Sequence, residues 1–135
     1  MRIIGLGSDL VDIRRIEKAL NKFNGRFMKR VFTDHEIEYC LSKGNKFANF
    51  AKRFAAKEAC SKALGTGFAQ GVFWKDMCVE NNELGAPVMR LSGGAIERLE
   101  ALTPHGMRNQ VDLTITDEFP MAQATVILTA LKDGE

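Results

Sequence analysis

Apolar positions along the chain repeat at two spacings, and the switches between them mark the elements. Arg2–Ser8 carries β-branched Ile3 and Ile4 and reads as a short strand loosened by Gly5 and Gly7. Asp9 and Asp12 follow, with Leu10 and Val11 between them, so Asp9 belongs to an apolar segment. Ile13, Ile16, Leu20 and Phe23 then recur every three or four residues, which predicts a helix from about Ile13 to Phe23 with Asp12 as N-cap. Thr33-Asp34-His35-Glu36 fits a capping box, followed by a short helix to about Ser42 and a stop at Lys43-Gly44-Asn45. The longest helical stretch runs from Phe47 to Leu64. Five alanines between Ala51 and Ala63 favour it, Asn49 is a candidate N-cap, and Gly65 is a candidate stop.

The second half changes period. Val72 to Glu80 reads as a strand, Asn81 to Pro87 as a turn, and Val88 to Leu91 as the returning strand of a hairpin. Gly93-Gly94 breaks the chain before a helix from Ala95 to Leu102, closed by Thr103-Pro104-His105-Gly106. From Gln110 to Thr116, Val111, Leu113 and Ile115 alternate with Asp112, Thr114 and Thr116; after Asp117-Glu118-Phe119-Pro120, Met121 to Leu131 forms the last strand. The order is strand, three helices, hairpin, helix, hairpin. Strands joined by turns imply an antiparallel sheet with helices packed on it, an α+β fold, and 135 residues suit one domain, 1–135.

The long helix carries an anomaly. Phe47, Ala51, Phe54, Glu58 and Ser61 fall on one side, with Phe50 at its edge, so Glu58 sits within the stripe expected to face inward. A buried carboxylate costs several kcal/mol unless compensated. Lys62, four residues on, offers about 0.2–0.5 kcal/mol as an exposed helix pair, too little to offset burial. Three readings stay open at this point: a wet cleft, a stronger partner such as a divalent cation, or an exposed salt bridge. Lys52, Arg53, Lys57 and Lys62 crowd the same helix, and Gly65-Thr66-Gly67 follows it. Cations beside a glycine turn suit phosphate, while a solvated helix face and a plain helix stop remain the structural alternatives. The order, helix then glycines, is not that of a Walker A loop.

Composition changes the picture little. Hydrophobic residues make up 45% and charged residues 27%, which excludes a disordered chain. The net charge of +2 gives no argument for nucleic acid, but its distribution is uneven. Between Arg14 and Arg30 lie Arg14, Arg15, Lys18, Lys22, Arg26, Lys29 and Arg30 against the single acid Glu17, a local charge of +6. Such a patch suggests an acidic partner. Cys40, Cys60 and Cys78 form neither a CxxC pair nor an even set, so reduced thiols in a cytoplasmic protein are expected. There is no apolar run of membrane-spanning length and no signal peptide; Met1 to Gly5 reads as a native start.

Three segments together carry a resemblance: Gly5-Leu6-Gly7-Ser8-Asp9, then Arg53-Phe54-Ala55-Ala56-Lys57-Glu58-Ala59 with Lys62-Ala63-Leu64-Gly65-Thr66-Gly67, and Leu113-Thr114-Ile115-Thr116-Asp117. The chain resembles the small bacterial holo-acyl-carrier-protein synthases of the 4′-phosphopantetheinyl transferase superfamily, over nearly its whole length. The resemblance implies transfer of 4′-phosphopantetheine from coenzyme A to a serine of apo acyl carrier protein in fatty acid biosynthesis, and a homotrimer with sites between subunits. It makes Asp9 and Glu58 Mg²⁺ ligands, and Arg53, Lys62, Gly65, Thr66 and Gly67 the coenzyme A region. It makes Arg14, Arg15, Lys18 and Lys22 the carrier-docking helix, with no role for nucleic acid or membrane. One position departs. Many members have histidine where this chain has Asp112, which leaves Glu58, Asp112 or a metal-bound water as acceptor of the serine proton.

Overall fold

The computed structural model describes residues 1–22 and 25–135. The first strand outruns its expected length. β1 (Arg2–Asp12) pairs antiparallel with β5 (Met121–Leu131) from Arg2↔Ala130 to Asp12↔Met121, with one irregularity between Ile3 and Gly5. The long partner, not local propensity, sets where it stops. β4 (Arg108–Glu118) pairs on the other side of β5, giving the antiparallel order β1-β5-β4. β2 (Met77–Asn81) and β3 (Pro87–Leu91) form a separate antiparallel hairpin. The α+β expectation holds.

Between β1 and the hairpin, the described residues form four α-helices where three were expected, α1 (Ile13–Lys22), α2 (Arg26–Val31), α3 (Asp34–Leu41) and α4 (Lys46–Leu64), and a short 3-10 turn at Trp74–Asp76. Phe23, placed at the end of the first helix and of its core stripe, lies outside the described residues. α2 was missed because six residues are too few to display a helical period; it follows Gly25 at φ 84° and buries Val31. Asp12 caps α1 as expected, its Oδ1 accepting from Arg14 N at 2.9 Å. The capping box is also present: Thr33 N donates to Glu36 Oε1 at 2.9 Å, and Glu36 N to Thr33 Oγ1 at 3.2 Å. α5 (Gly93–Leu102) begins at the glycine pair instead of after it.

α4 is the core of the molecule. It packs across β1 and β5, and Phe50, Ala51, Ala55, Ala56, Ala59, Cys60 and Leu64 are all at most 1% exposed. Its N-cap is Asn45, not Asn49, whose amide instead bonds Asn45 at 2.8 Å; Gly65 ends it at φ 80° as expected. Burial extends round most of the helix, so the one-sided stripe is too narrow a description. Arg53 at 1% and Lys57 at 0% are buried, so the solvated-face alternative does not hold for these two.

Candidate active site

The inner face of β1 presents Gly5, Gly7, Asp9 and Val11 in turn. The two glycines let the helix come close. A β-carbon at Gly7 would overlap the Ala59 carbonyl, and one at Gly5 the Ala63 carbonyl, four residues further along α4. Strand and helix therefore touch backbone to backbone, and the next inward residue, Asp9, is carried to the exposed flank of α4 beside Lys62. Lys62 Nζ lies 3.1 Å from Asp9 Oδ1 and donates to the Ser8 carbonyl at 3.0 Å.

Glu58 is half-buried on the same flank. Its carboxyl is raised above the ordinary carboxylate range, by burial first and by the negative charge of Asp9 second; Lys62 and Arg15 pull it back. The charge of a strand-end aspartate thus bears on a mid-helix glutamate at a half-exposed position. The exposed Glu58–Lys62 salt bridge, one of the three open readings, is not what forms, since Lys62 pairs with Asp9. A part-buried aspartate beside a half-buried glutamate fits a hard divalent ion, which is commonly held by one or two carboxylates with phosphates and water completing its shell. Among the described residues, no group of three or more His, Cys, Asp or Glu could hold a metal.

The other expected site residues separate. Arg15, assigned to docking, stands over the Phe54 ring at 5.9 Å and lowers Glu58, so it faces the carboxylates. Phe54 stacks on Trp74 at 5.3 Å and Trp74 on Phe68 at 3.7 Å; beyond them lies a cavity of about 450 Å³ lined also by Arg30, Val72, Phe73 and Lys75. Arg53 does not join the cluster. It lies over Tyr39 at 4.2 Å and donates to the Asn49 carbonyl and Asn81 Oδ1, a buried brace between α3, α4 and the hairpin. Gly65, Thr66 and Gly67 sit at the carbonyl end of α4, whose partial charge repels anions. There Arg98, which sequence reasoning passed over, donates to the Leu64 carbonyl at 2.9 Å and brings a cation to the turn. Its only sequence signal is a lone base in an otherwise acidic and apolar helix.

Arg14, Lys18 and Lys22 are exposed on α1. Arg14 is tied to Asp12 at 2.6 Å, and its guanidinium holds the Asp12 carboxyl at about 2. Asp112 is exposed, on the sheet face turned away from α4, and accepts from Gln110 at 2.8 Å. Asp112→Asn is accordingly expected to keep kcat within about tenfold, against the 10²–10⁴-fold cost of losing a general base. A thousandfold fall at unchanged coenzyme A affinity would make Asp112 the base.

A family model of the 4′-phosphopantetheinyl transferase superfamily matches residues 5–123. The chain belongs to this superfamily. The transferase is 61% identical over 129 residues to a holo-[acyl-carrier-protein] synthase of Sinorhizobium fredii, covering 96% of this chain and 93% of the relative. It is 58% identical over 131 residues to that of Brucella ovis, covering 96% of each. Its fold matches the Neisseria meningitidis synthase with a TM-score of 0.81 at 33% identity, covering 94% of this chain and 98% of the other. The Helicobacter pylori synthase, solved in complex with coenzyme A, matches with a TM-score of 0.78 at 30% identity, covering 92% and 99%.

Proposed function

We propose that the chain transfers 4′-phosphopantetheine from coenzyme A to a serine hydroxyl of apo acyl carrier protein, with Mg²⁺ at Asp9 and Glu58, as a step of fatty acid biosynthesis. The observation that carries this is the meeting of Asp9, Glu58, Lys62 and Arg15 on one flank of α4. The serine oxygen forms a bond to the pantetheine-bearing phosphorus as the phosphoanhydride bond breaks, and adenosine 3′,5′-bisphosphate leaves with the electron pair. Mg²⁺ would neutralise charge building on the phosphate oxygens. Lys62 and Arg98 hold the diphosphate over the Gly65-Thr66-Gly67 turn, and Arg15 steadies Glu58. The serine proton passes to water, with Asp112 taking no part.

The exposed bases of α1 and α2 suit an acidic carrier. Reversing Arg14 and Lys18 to glutamate is expected to raise KM for the carrier at least tenfold at low salt and leave coenzyme A binding unchanged, since rim charges act mainly on encounter. Equal carrier KM before and after reversal would move docking off α1. Ile3, Leu6 and Leu10 are 59%, 65% and 63% exposed on the outer face of β1, a strip that supports the proposed homotrimer. No helix among the described residues is long and apolar enough to cross a membrane. Three free cysteines, two of them buried, support a reducing, cytoplasmic setting.

Incubating the protein with apo carrier, coenzyme A and Mg²⁺ and weighing the carrier is the direct test. A gain of roughly 340 Da, abolished by chelation, is expected for the transferred group. An unmodified carrier would overturn the reading.

A further inference from the structure

We propose that Lys62 is the built-in counter-ion of the cation site: its ammonium occupies Asp9 until a divalent ion displaces it, and the displacement frees it for the phosphates of coenzyme A. This rests on the assignment of Asp9 and Glu58 to a metal. The contacts are specific. Nζ lies between Asp9 Oδ1 at 3.1 Å and the Ser8 carbonyl at 3.0 Å, two oxygens of consecutive residues on β1. Asp9's side chain is only 15% exposed, while that of Lys62 is 52% exposed. The lysine is thus a flexible arm reaching from solvent into a part-buried carboxylate, with room to swing out. It lies four residues, one helical turn, beyond Glu58, so it approaches the same two carboxylates that an ion would bridge.

One ammonium cannot neutralise both carboxylates. Its ion pair is with Asp9, which leaves half-buried Glu58 without one among the described residues. A divalent ion can satisfy both. With Asp9 taken by the ion, the lysine would lose its charged partner and keep only the Ser8 carbonyl, leaving its charge available to an incoming diphosphate. Metal and coenzyme A should therefore bind cooperatively for two reasons: the phosphates ligate the ion, and the ion releases the lysine. Linkage makes the second contribution reciprocal.

The test uses the full chain and Mn²⁺ as the probe, with free ion read by its paramagnetic resonance signal, first without coenzyme A. Lys62→Met is expected to tighten Mn²⁺ about fivefold, the upper value for an ion pair of this exposure. Removing a positive charge would tighten cation binding even without a contact. Arg15→Met controls for this, because Arg15 also acts on Glu58 but lies over the Phe54 ring. It should tighten Mn²⁺ about twofold or less, as a screened charge without direct contact. The second readout is the factor by which Mn²⁺ tightens coenzyme A, which should be about fivefold smaller in Lys62→Met than in wild type by the same linkage. Equal Mn²⁺ affinity in wild type and Lys62→Met, or equal tightening in both variants, would overturn the proposal and leave the metal site standing. Absence of Mn²⁺ binding in every protein, with and without coenzyme A, would overturn the metal assignment and the proposal with it.

Discussion

Asp9→Ala and Glu58→Ala are each expected to lower transfer by at least about a hundredfold, the usual cost of removing one preorganised charge partner from a reaction that builds charge on oxygen. The fold should survive both. Asp9 loses only its pair with Lys62, whose ammonium end reaches in from solvent, worth about 1 kcal/mol. Glu58 should behave in the opposite sense. Its folded-state pKa lies above the ordinary carboxylate value, because burial and Asp9 disfavour the charged form. The stability attached to its neutral form is therefore full below that ordinary value and is lost as pH rises through the raised one. Above the raised value the ionised glutamate works against folding. Glu58→Gln, which keeps the shape and removes the charge, should melt at or above wild type in the absence of added cation while losing transfer. Turnover and thermal melts on the same preparations check this. A variant that loses activity and melting temperature together would point to folding; wild-type turnover of both alanine variants at limiting Mg²⁺ would remove the cation from the reading.

The parts of the fold legible in the sequence were those with a period or a cap. β4 shows its alternation, the Thr33 capping box is built as written, and Gly65 ends α4. What failed did so for identifiable reasons. The strand Arg2–Asp12 continues past Ser8 because β5 pairs with all of it, a tertiary effect that β1's own composition does not contain. Gly5 and Gly7 look like weaknesses in a strand; they are contact points, and the reason is α4's backbone rather than anything adjacent in sequence. For the site, Glu58 could be singled out because a carboxylate within an apolar stripe demands a partner. The sequence could not tell which bases of the crowded helix face solvent. Arg53 and Lys57 are core residues, while Lys62 pairs with Asp9 and Arg15, on α1, acts on Glu58. Spacing gives a face, but which faces are covered depends on α3, the hairpin and the segment before it.

Lys57 supplies the largest expected change in stability. Its Nζ lies 2.6 Å from Glu36 Oε1 and donates to the Val31 carbonyl at 2.6 Å and the Trp74 carbonyl at 3.2 Å, with both side chains fully buried. Glu36 in turn accepts from Thr33 N at 2.9 Å and Val79 N at 2.8 Å. Burial pushes the lysine below its usual range, and Glu36 acts against that. The pair ties the end of α2, the cap of α3, β2 and the Trp74 turn to α4, one residue before Glu58. Lys57→Met leaves Glu36 as a buried, unpaired anion and is expected to cost about 3–5 kcal/mol. For a chain of this length that lowers the melting temperature by roughly 10–20 °C. Removing both charges tests the cause. Lys57→Met with Glu36→Leu leaves no unpaired ion, so its cost should fall well below the sum of the two single changes. Melts of the wild type, the two single variants and the double variant close the cycle. A single-variant loss under about 1 kcal/mol would mean that water or a rearranged side chain compensates the charge and that the pair is no brace. A double loss equal to the sum would place the cost in packing, because removal of the second charge would then have relieved nothing.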